Sequence, residues 1–586
     1  MSSMNLSSSS STTDNLATST SNTLLSTVLN EQILPYILQI LDNKHYSIES
    51  CTLLSGGYLN FVWRIKLKYQ QTNTDTDNVN KNDDVNNKKS TIINNDPMIT
   101  INPLLLSLSL SSIIVKYHPP YIATKPDIPF DIQRSIIEGY VMSLVNKLFL
   151  SSYINKNNVL QIPQIYSTNT IIPCLIMEDG GTLSTLEEWL LSLLSSILSN
   201  TIPSNTIMNH VLSEYQSLGK KIGNTIGKLH GLSYITYYKS TMTSSTENIN
   251  TTLLTKDIIY KYINNQSIQV MRQTLQYNNV VNIYSNVQQE ILKQNPSLLL
   301  LSEERLSFLR SQCKYIGEWF SKDTLGFVLI HGDLWLRSIL LSSSSTSNSS
   351  NSTPTPWLID WELTHWGNPA QDISHLAAHL WMIKELCLIQ TYIQIIKFDP
   401  CLLPSSLLIN LPTMDEHPKY ISHESSESSN PFTKLFSKLD FYMQSMYLDH
   451  PMYQLLDDTI LTSTKPLYSS KIMSILQNTK ILIDSINNLW SHCLEAYRST
   501  INQLFTNNST EFTEQFLVQW SIHQVEKFSC VHMGCEVASR LGTFLEGGVY
   551  DPNICKLDKT SSLYQYYLYR ALYYGILVIT EESSSS

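Results

Sequence analysis

Cysteine is sparse in this chain of 586 residues: nine are scattered along it without a Cys-x-x-Cys pair. An odd set without such a pair argues against a disulfide framework or a structural zinc module and fits a reducing cytosol. Basic runs are missing as well. Lysine and arginine total 39 against 49 acids, for a formal charge of −10 and a pI near 5.8. That balance argues against a general nucleic-acid surface. Met1–Thr27 is rich in Ser and Thr but has neither a sustained apolar core nor an Arg-rich pattern. It therefore reads as a disordered tail (1–27), not a secretory signal or transit peptide. Leu563–Thr580 approaches membrane length, but Gln565, Arg570 and many tyrosines make it a packed terminal helix. The expectation is a cytoplasmic protein without membrane or nucleic-acid partners.

What is present centres on Phe327–Glu362. The apolar run FVLI reads as a buried strand delivering His331, Gly332 and Asp333 at its end, where the chain turns. Trp357–Ile359 reads as a second, adjacent strand delivering Asp360 and, two residues later on the same face, Glu362. Ser342–Pro356 between them is almost all Ser, Thr, Asn and Pro, which suits a solvated hairpin loop. Three carboxylates gathered at strand ends repel one another unless a cation joins them. Hard oxygen donors of this kind suit Mg²⁺ with substrate phosphates completing its shell. Asp333 is then placed to take a proton from an attacking hydroxyl, with Asp360 and Glu362 on the metal.

A mass of 66.8 kDa exceeds one compact core, so two lobes are expected: 28–180, carrying a polar insertion at 70–102, and 181–586. In the first, Asn30–Leu41 reads as a helix with Asn30 as its cap. Ile48–Leu54 and Leu59–Leu67 read as strands around Ser55-Gly56-Gly57, first of all a hairpin turn. Its functional alternative is a loop whose amides cover phosphates. Leu104–Val115 gives a strand closed by Lys116, and Asp131–Leu148 a helix carrying Glu138 among apolar neighbours. Lys116 either snorkels to water or pairs with Glu138, a pair that aims an ammonium at phosphates. Short strands at Ile162–Tyr166 and Leu175–Met177 precede Met177–Gly181, which leaves the first lobe.

Beyond it the periodicity turns helical at Leu183–Leu198 and at Val211–Leu229, with His230-Gly231 as a helix stop. After Glu362, Asp372 sits where a carboxylate caps a helix starting near Ile373. His375 and His379 have metal-ligand spacing but no third ligand beside them in the sequence, and read as packing residues. Cys401–Lys434 holds a further polar insertion.

Taken together these segments resemble the aminoglycoside phosphotransferase and choline kinase group of small-molecule kinases. Within it they look most like methylthioribose kinase. The matching stretches are SGGYLNFVWRI (Ser55–Ile65), IIVKYHPPYI (Ile113–Ile122), FDIQRSIIE (Phe130–Glu138), LIMEDGG (Leu175–Gly181), IHGDL (Ile330–Leu334) and IDWE (Ile359–Glu362). The resemblance implies an α+β, protein-kinase-like bilobal fold with a small β-rich N-lobe and a large, mainly helical C-lobe. It implies ATP and Mg²⁺ as cofactors, a small-molecule acceptor, and leaves a homodimer open. Asp333 would be the catalytic base and Asp360 and Glu362 the metal ligands. Lys116, paired with Glu138, would contact the ATP phosphates. Gly56, Gly57 and Asn60 would cover those phosphates, while Met177, Glu178 and Asp179 would flank adenine.

Three departures stand out. Ser338 occupies the metal-serving position that most of the group fills with Asn. Trp335 and Arg337 replace small or His residues in the loop facing the acceptor. The paired-arginine segment near the C-terminus keeps only Arg540, within GCEVASRLG (Gly534–Gly542). The acceptor expected from the resemblance is a methylthioribose-like sugar, with another sugar, an amino alcohol or an aminoglycoside as the alternative. A nucleotide-binding pseudokinase is the non-catalytic rival. A protein kinase is disfavoured by the lack of an HRD-type loop and of DFG and APE motifs.

Overall fold

A computed structural model describes residues 26–41, 46–54, 59–69, 110–150, 158–169, 171–199, 206–242, 277–294, 302–321, 328–342, 356–398, 431–445, 469–508, 522–545 and 562–580, with shorter pieces between them. The chain divides into two compact units, residues 1–143 with 163–179, and residues 144–162 with 180–586.

The first unit is built on a five-stranded antiparallel sheet in the order β1-β2-β3-β7-β6. Its strands are β1 (Tyr46–Leu53), β2 (Phe61–Tyr69), β3 (Ser112–Tyr117), β6 (Ile165–Asn169) and β7 (Cys174–Glu178). Alternation sets its faces: Trp63, Ile65 and Leu67 of β2, with Ile113 and Val115 of β3, turn into one apolar core. Helix α1 (Leu34–Ile40) covers that core through Ile37 and Ile40. Asn30 lies inside the helical turn Leu29–Ile33 that precedes α1, so it is not the cap. A short pair, β4 (Tyr121–Ile122) and β5 (Lys125–Pro129), leads into α2 (Gln133–Leu150). Strand β3 is shorter than the expected Leu104–Val115, of which 104–109 lie outside the described residues. It runs on through Lys116, which pairs with Val62 and Leu175 across the sheet.

The second unit is mainly helical. Strand β8 (Leu183–Thr185) takes the first three residues of the expected helix at Leu183–Leu198, pairing with β10 (Ile339–Ser342). Thr185 then caps α3 (Leu186–Leu198) in a reciprocal box with Glu188. Helix α4 (Thr206–Met242) runs straight through His230-Gly231, where a stop was expected. Gly231 serves packing instead. It belongs to a row, Gly219, Gly223, Gly227 and Gly231, at spacing four, which puts all four on one face. A Cβ at Gly219 or Gly223 would strike the Leu489 or Cys493 carbonyl of α9 (Ser470–Thr506), and at Gly231 it would meet Leu504 Cδ1 at 2.7 Å. The row thus sets how closely α4 and α9 approach.

The remaining described helices of this unit include α5 (Val280–Gln294), α6 (Glu303–Ser321), α7 (Ala370–Phe398), α8 (Ser437–Ser445), α10 (Ile522–Leu545) and α11 (Ser562–Thr580). Glu385 of α7 accepts both Nε (2.9 Å) and Nη2 (2.8 Å) of Arg570 on α11, a buried bidentate pair that fastens the terminal helix. Among the described residues, no helix is long and apolar enough to cross a membrane.

The two apolar runs around the central motif are not adjacent strands. β9 (Val328–Ile330) pairs with β12 (His365–Gly367), and β11 (Trp357–Leu358) pairs with β10. The cause is local: residues after Asp333 turn back into a strand of their own, Ile339–Ser342, which takes the pairing with Trp357–Leu358 and forms the hairpin. Residues 343–355 of its loop lie outside the described residues.

Candidate active site

Each unit carries one group of the expected functional residues. In the first, Ile114 and Lys116 point away from the core that Ile113 and Val115 fill, toward α2. Lys116 Nζ donates to Glu138 Oε1 at 2.9 Å, with both side chains buried. Buried charge of this kind persists only where paired, so the Lys116–Glu138 pairing suggested by the sequence is formed. Glu138 has a second partner that sequence reasoning missed: His118 Nε2 lies 2.8 Å from its Oε2. The signal was available, since His118 follows Lys116 at the same-face interval of two.

Gly56 and Gly57 lie outside the described residues. Asn60 is buried, and its Oδ1 accepts from Nε (3.3 Å) and Nη2 (3.2 Å) of Arg134. That fully buried arginine also donates to the carbonyls of Pro119 (2.7 Å) and Asp131 (2.6 Å), tying the turn after β3 to the start of α2. Nothing in the periodicity singled out Arg134. Met177 is buried in β7. Glu178 Oε2 accepts the Gln164 amide at 3.1 Å. Asp179 takes a bidentate pair from Arg64 at 2.9 and 3.1 Å. The last two carboxylates are thus engaged at the sheet's end.

In the second unit, β9 delivers the His331-Gly332-Asp333 loop. Gly332 adopts φ +83°, and a Cβ there would collide with the Leu363 carbonyl, so glycine is required. Asp372 holds this loop. Its Oδ2 accepts the His331 amide at 2.7 Å and its Oδ1 the Gly332 amide at 2.8 Å. His230 Nε2 meets the same carboxylate at 3.1 Å, and its Nδ1 meets the Tyr497 hydroxyl of α9 at 3.1 Å. Burial works to raise the Asp372 pKa, but the hydrogen bond from His230, the electrostatic influence of the His230 and His331 rings and the Gly332 amide bring it below the ordinary carboxylate value. Asp372 is therefore no helix cap: α7 begins at Ala370, whose amide donates to Asn368 Oδ1 at 2.9 Å. Likewise His230 sits mid-helix, not at a helix end.

His331 donates from Nε2 to the Ile359 carbonyl (2.9 Å), which leaves Nδ1 to accept the Asp333 amide (3.3 Å). The backbone of Asp333 is thereby fixed, while its carboxylate stays about a fifth exposed. Ser338 is fully buried and closes the following turn, accepting the Trp335 amide (3.2 Å) and donating to the Trp335 carbonyl (2.8 Å). Arg337 pairs through Nε with the buried Glu187 of α3, and its guanidinium lies 5.3 Å from the Trp335 ring centroid. Both contacts brace the loop. Arg540 lies on α10, with its side chain outside the described residues.

Asp360 and Glu362 do not share a strand face. The strand ends at Leu358, Asp360 takes left-handed φ 64° and ψ 57°, and Glu362 stands in the 3₁₀ turn Trp361–Leu363. A left-handed aspartate is uncommon, and such backbone is characteristic of ligand sites. The two acids sit two residues apart across this turn, and as hard oxygen donors they fit Mg²⁺.

A family model described as Ecdysteroid kinase-like family (EcKL) matches residues 218–382, from within α4 through the Asp333 loop into α7. The chain is 24% identical over 277 residues to the 4-hydroxytryptamine kinase of Psilocybe cyanescens, a match covering 47% of this chain and 62% of that protein. Among solved structures, similar chains include APH(2")-IIia with GDP and kanamycin, at 13% identity and a TM-score of 0.26, covering 59% of this chain and 77% of that one. An ethanolamine kinase of Plasmodium vivax gives 11% identity and a TM-score of 0.25, covering 83% of each chain.

Proposed function

We propose that this chain is a small-molecule kinase that transfers the γ-phosphoryl group of ATP to a hydroxyl of a small polar metabolite. The observation that carries the proposal is the Asp333 loop: a positive-φ glycine, a buried Asp372 accepting two loop amides, and a His331 bond to the Asp333 amide. A loop fixed at three points and ending in a partly exposed carboxylate suits a base that must meet one hydroxyl in one orientation. The match of 218–382 to a kinase-like family and the curated kinase relative support the same class.

In this reading Asp333 orients the acceptor hydroxyl and takes its proton as the oxygen attacks. Asp360 and Glu362 would hold Mg²⁺. Lys116, aimed by Glu138, would neutralise phosphate oxygens. Bound Mg²⁺–ATP supplies the phosphoryl group and shields its charge. Gly56, Gly57 and Asn60 would cover the phosphates, and the Met177–Asp179 segment would flank the base. Trp335 and Arg540 would face the acceptor, and Arg337 and Ser338 would shape the loop between them. A methylthioribose-like sugar remains the acceptor suggested by the motif resemblance, and a hydroxylated tryptamine is the one suggested by the curated relative.

The test is ADP release from Mg²⁺–ATP with methylthioribose, 4-hydroxytryptamine, ethanolamine, glucosamine and kanamycin as acceptors. An acceptor-dependent rate that falls at least a thousandfold in Asp333→Asn, with ATP binding retained, is the expected result. Unchanged turnover in that variant removes Asp333 from its role. A wild-type protein that does not bind ATP overturns the kinase reading.

A further inference from the structure

We propose that His375 is a positioning residue for Asp333, coupling that carboxylate to a second, buried one at Glu536. The proposal rests on the kinase reading above. Asp372 and His375 are three apart on α7 and so share a face. Asp372 holds the loop backbone, and His375 reaches the loop's side chain, with Nε2 3.9 Å from Asp333 Oδ1. The other ring nitrogen, Nδ1, lies 3.8 Å from Glu536 Oε1 on α10. His532, one turn earlier on α10, places its Nδ1 3.8 Å from that same oxygen. The ring of His379 stacks on His375 at 5.0 Å and 16°, and Trp335 stands 5.5 Å from His379.

These separations are longer than hydrogen bonds but within the range at which a protonated imidazole attracts a carboxylate, an attraction that is strong where water is excluded. His375 and Glu536 are each 1% exposed. For packing alone, apolar side chains would serve better at such positions, because burying an acid and an imidazole is unfavourable unless they interact. A single imidazole between two acids directs one nitrogen to each. With Nε2 toward Oδ1, the Asp333 carboxylate is biased in rotation, and Oδ2 is left for the acceptor. As the acceptor oxygen bonds the γ-phosphorus and the bond to the ADP oxygen breaks, the hydroxyl proton passes to Asp333 Oδ2. His375 itself transfers no proton; it keeps the carboxylate aimed. The charged and titratable groups facing it are Asp333 from the loop, Glu536 and His532 from α10, and His379 from its own helix.

The first test needs no acceptor. In full-length protein labelled with ¹³C at histidine Cε1, the His375 signal is identified by its loss in His375→Gln. It is then followed in Asp333→Asn and in Glu536→Gln. Coupling predicts that both substitutions move the signal and its titration midpoint. A signal that ignores either substitution overturns the proposal. The second test is kinetic, with whichever acceptor supports turnover. His375→Phe should lower kcat 10- to 100-fold while leaving KM for ATP within twofold, and shift the acid limb of the pH–rate profile. His375→Gln, which can still donate toward Asp333, should recover at least a third of the lost rate. A His375→Phe variant with wild-type kcat and pH profile overturns the proposal. Failure of the kinase reading is seen separately, in the turnover of Asp333→Asn, and is thereby distinguished from failure of the His375 coupling.

Discussion

Asp372 shows how much one buried side chain can determine. Four groups converge on it or its immediate partner: two loop amides, the His230 ring and, through that ring, the Tyr497 hydroxyl. Replacing it with Asn keeps the size but substitutes an amide for one acceptor oxygen, leaving a loop amide facing a donor. Removing one such bond in a buried network costs about 1–3 kcal/mol. Asp372→Asn should therefore lower kcat at least tenfold and depress Tm by several degrees, measured by acceptor-dependent ADP release and calorimetry. The folded pKa lies below the unfolded value of 3.8, so the charged form is favoured by folding. This stabilisation is complete above about pH 5 and is lost as the pH falls through the folded pKa, a loss that Asp372→Asn should not show. At this scale the sequence was informative about identity and poor about partners. Asp333 and Lys116 stood out because charge at the end of an apolar run is unusual, and Glu138 because it stands among apolar neighbours on a helix. Asp372 looked like a cap because helix-start chemistry and loop-holding chemistry use the same residue type. Arg134 and Glu536 find their partners through tertiary contacts that no local period encodes, whereas His118 shares the strand face of Lys116 and was legible from it.

At the scale of elements, the α4–α9 seam depends on the absence of side chains. Alanine is a better helix former than glycine by about 1 kcal/mol, so an isolated helix would gain from Gly223→Ala. Here the added methyl meets the Cys493 carbonyl, which belongs to rigid backbone. The helices must part, at a cost of about 1–3 kcal/mol, and the variant should unfold at lower urea despite its higher propensity. Gly231→Ala meets the flexible end of Leu504 and should be milder. The spacing of these glycines was visible in the chain, yet a glycine after an amphipathic run is also a common helix end, and local pattern cannot distinguish the two.

A second element-scale prediction concerns Glu526, whose carboxylate accepts the Ser437 (2.8 Å) and Lys438 (3.1 Å) amides at the start of α8. Burial raises its pKa to about 7, although the backbone hydrogen bonds and Arg498 act in the opposite direction. The folded value thus exceeds the unfolded 4.5. Its contribution to stability is full below about pH 4.5 and is lost as the pH climbs to 7, by about 3 kcal/mol at most. Comparing urea midpoints at pH 5 and 7.5, the wild type should lose more stability than Glu526→Gln over that interval.

For the whole molecule, the division into a β-sheet unit and a mainly helical unit followed from size and from the switch of hydrophobic period near Met177–Gly181. What escaped the sequence was the allocation of 144–162 to the second unit, because α2 runs through that boundary unbroken. Strand partners in the second unit were misassigned for a related reason: runs of two to four residues carry too little pattern to specify pairing. The first-unit sheet was better defined. Residues 70–109 connect β2 to β3, and Lys66 pairs directly with Ser112 at the near end of the ladder. Antiparallel neighbours can be joined by a short turn. Replacing 70–109 with a four-residue Asn-Gly-containing turn should leave the ATP-induced thermal shift unchanged. Loss of the shift would assign the segment a part in nucleotide binding.

The glycine row has one more consequence. His230 rises from α4 and Tyr497 from α9; they meet across the glycine-lined seam, and His230 reaches on to Asp372. The loop's alignment therefore inherits its tolerance from an interhelical gap measured in single hydrogens. Anything that swells that gap acts like an overload on a fuse: the circuit opens while the wiring is still sound. On a slow temperature ramp, catalysis should fail several degrees before the helices melt, and cooling should restore it.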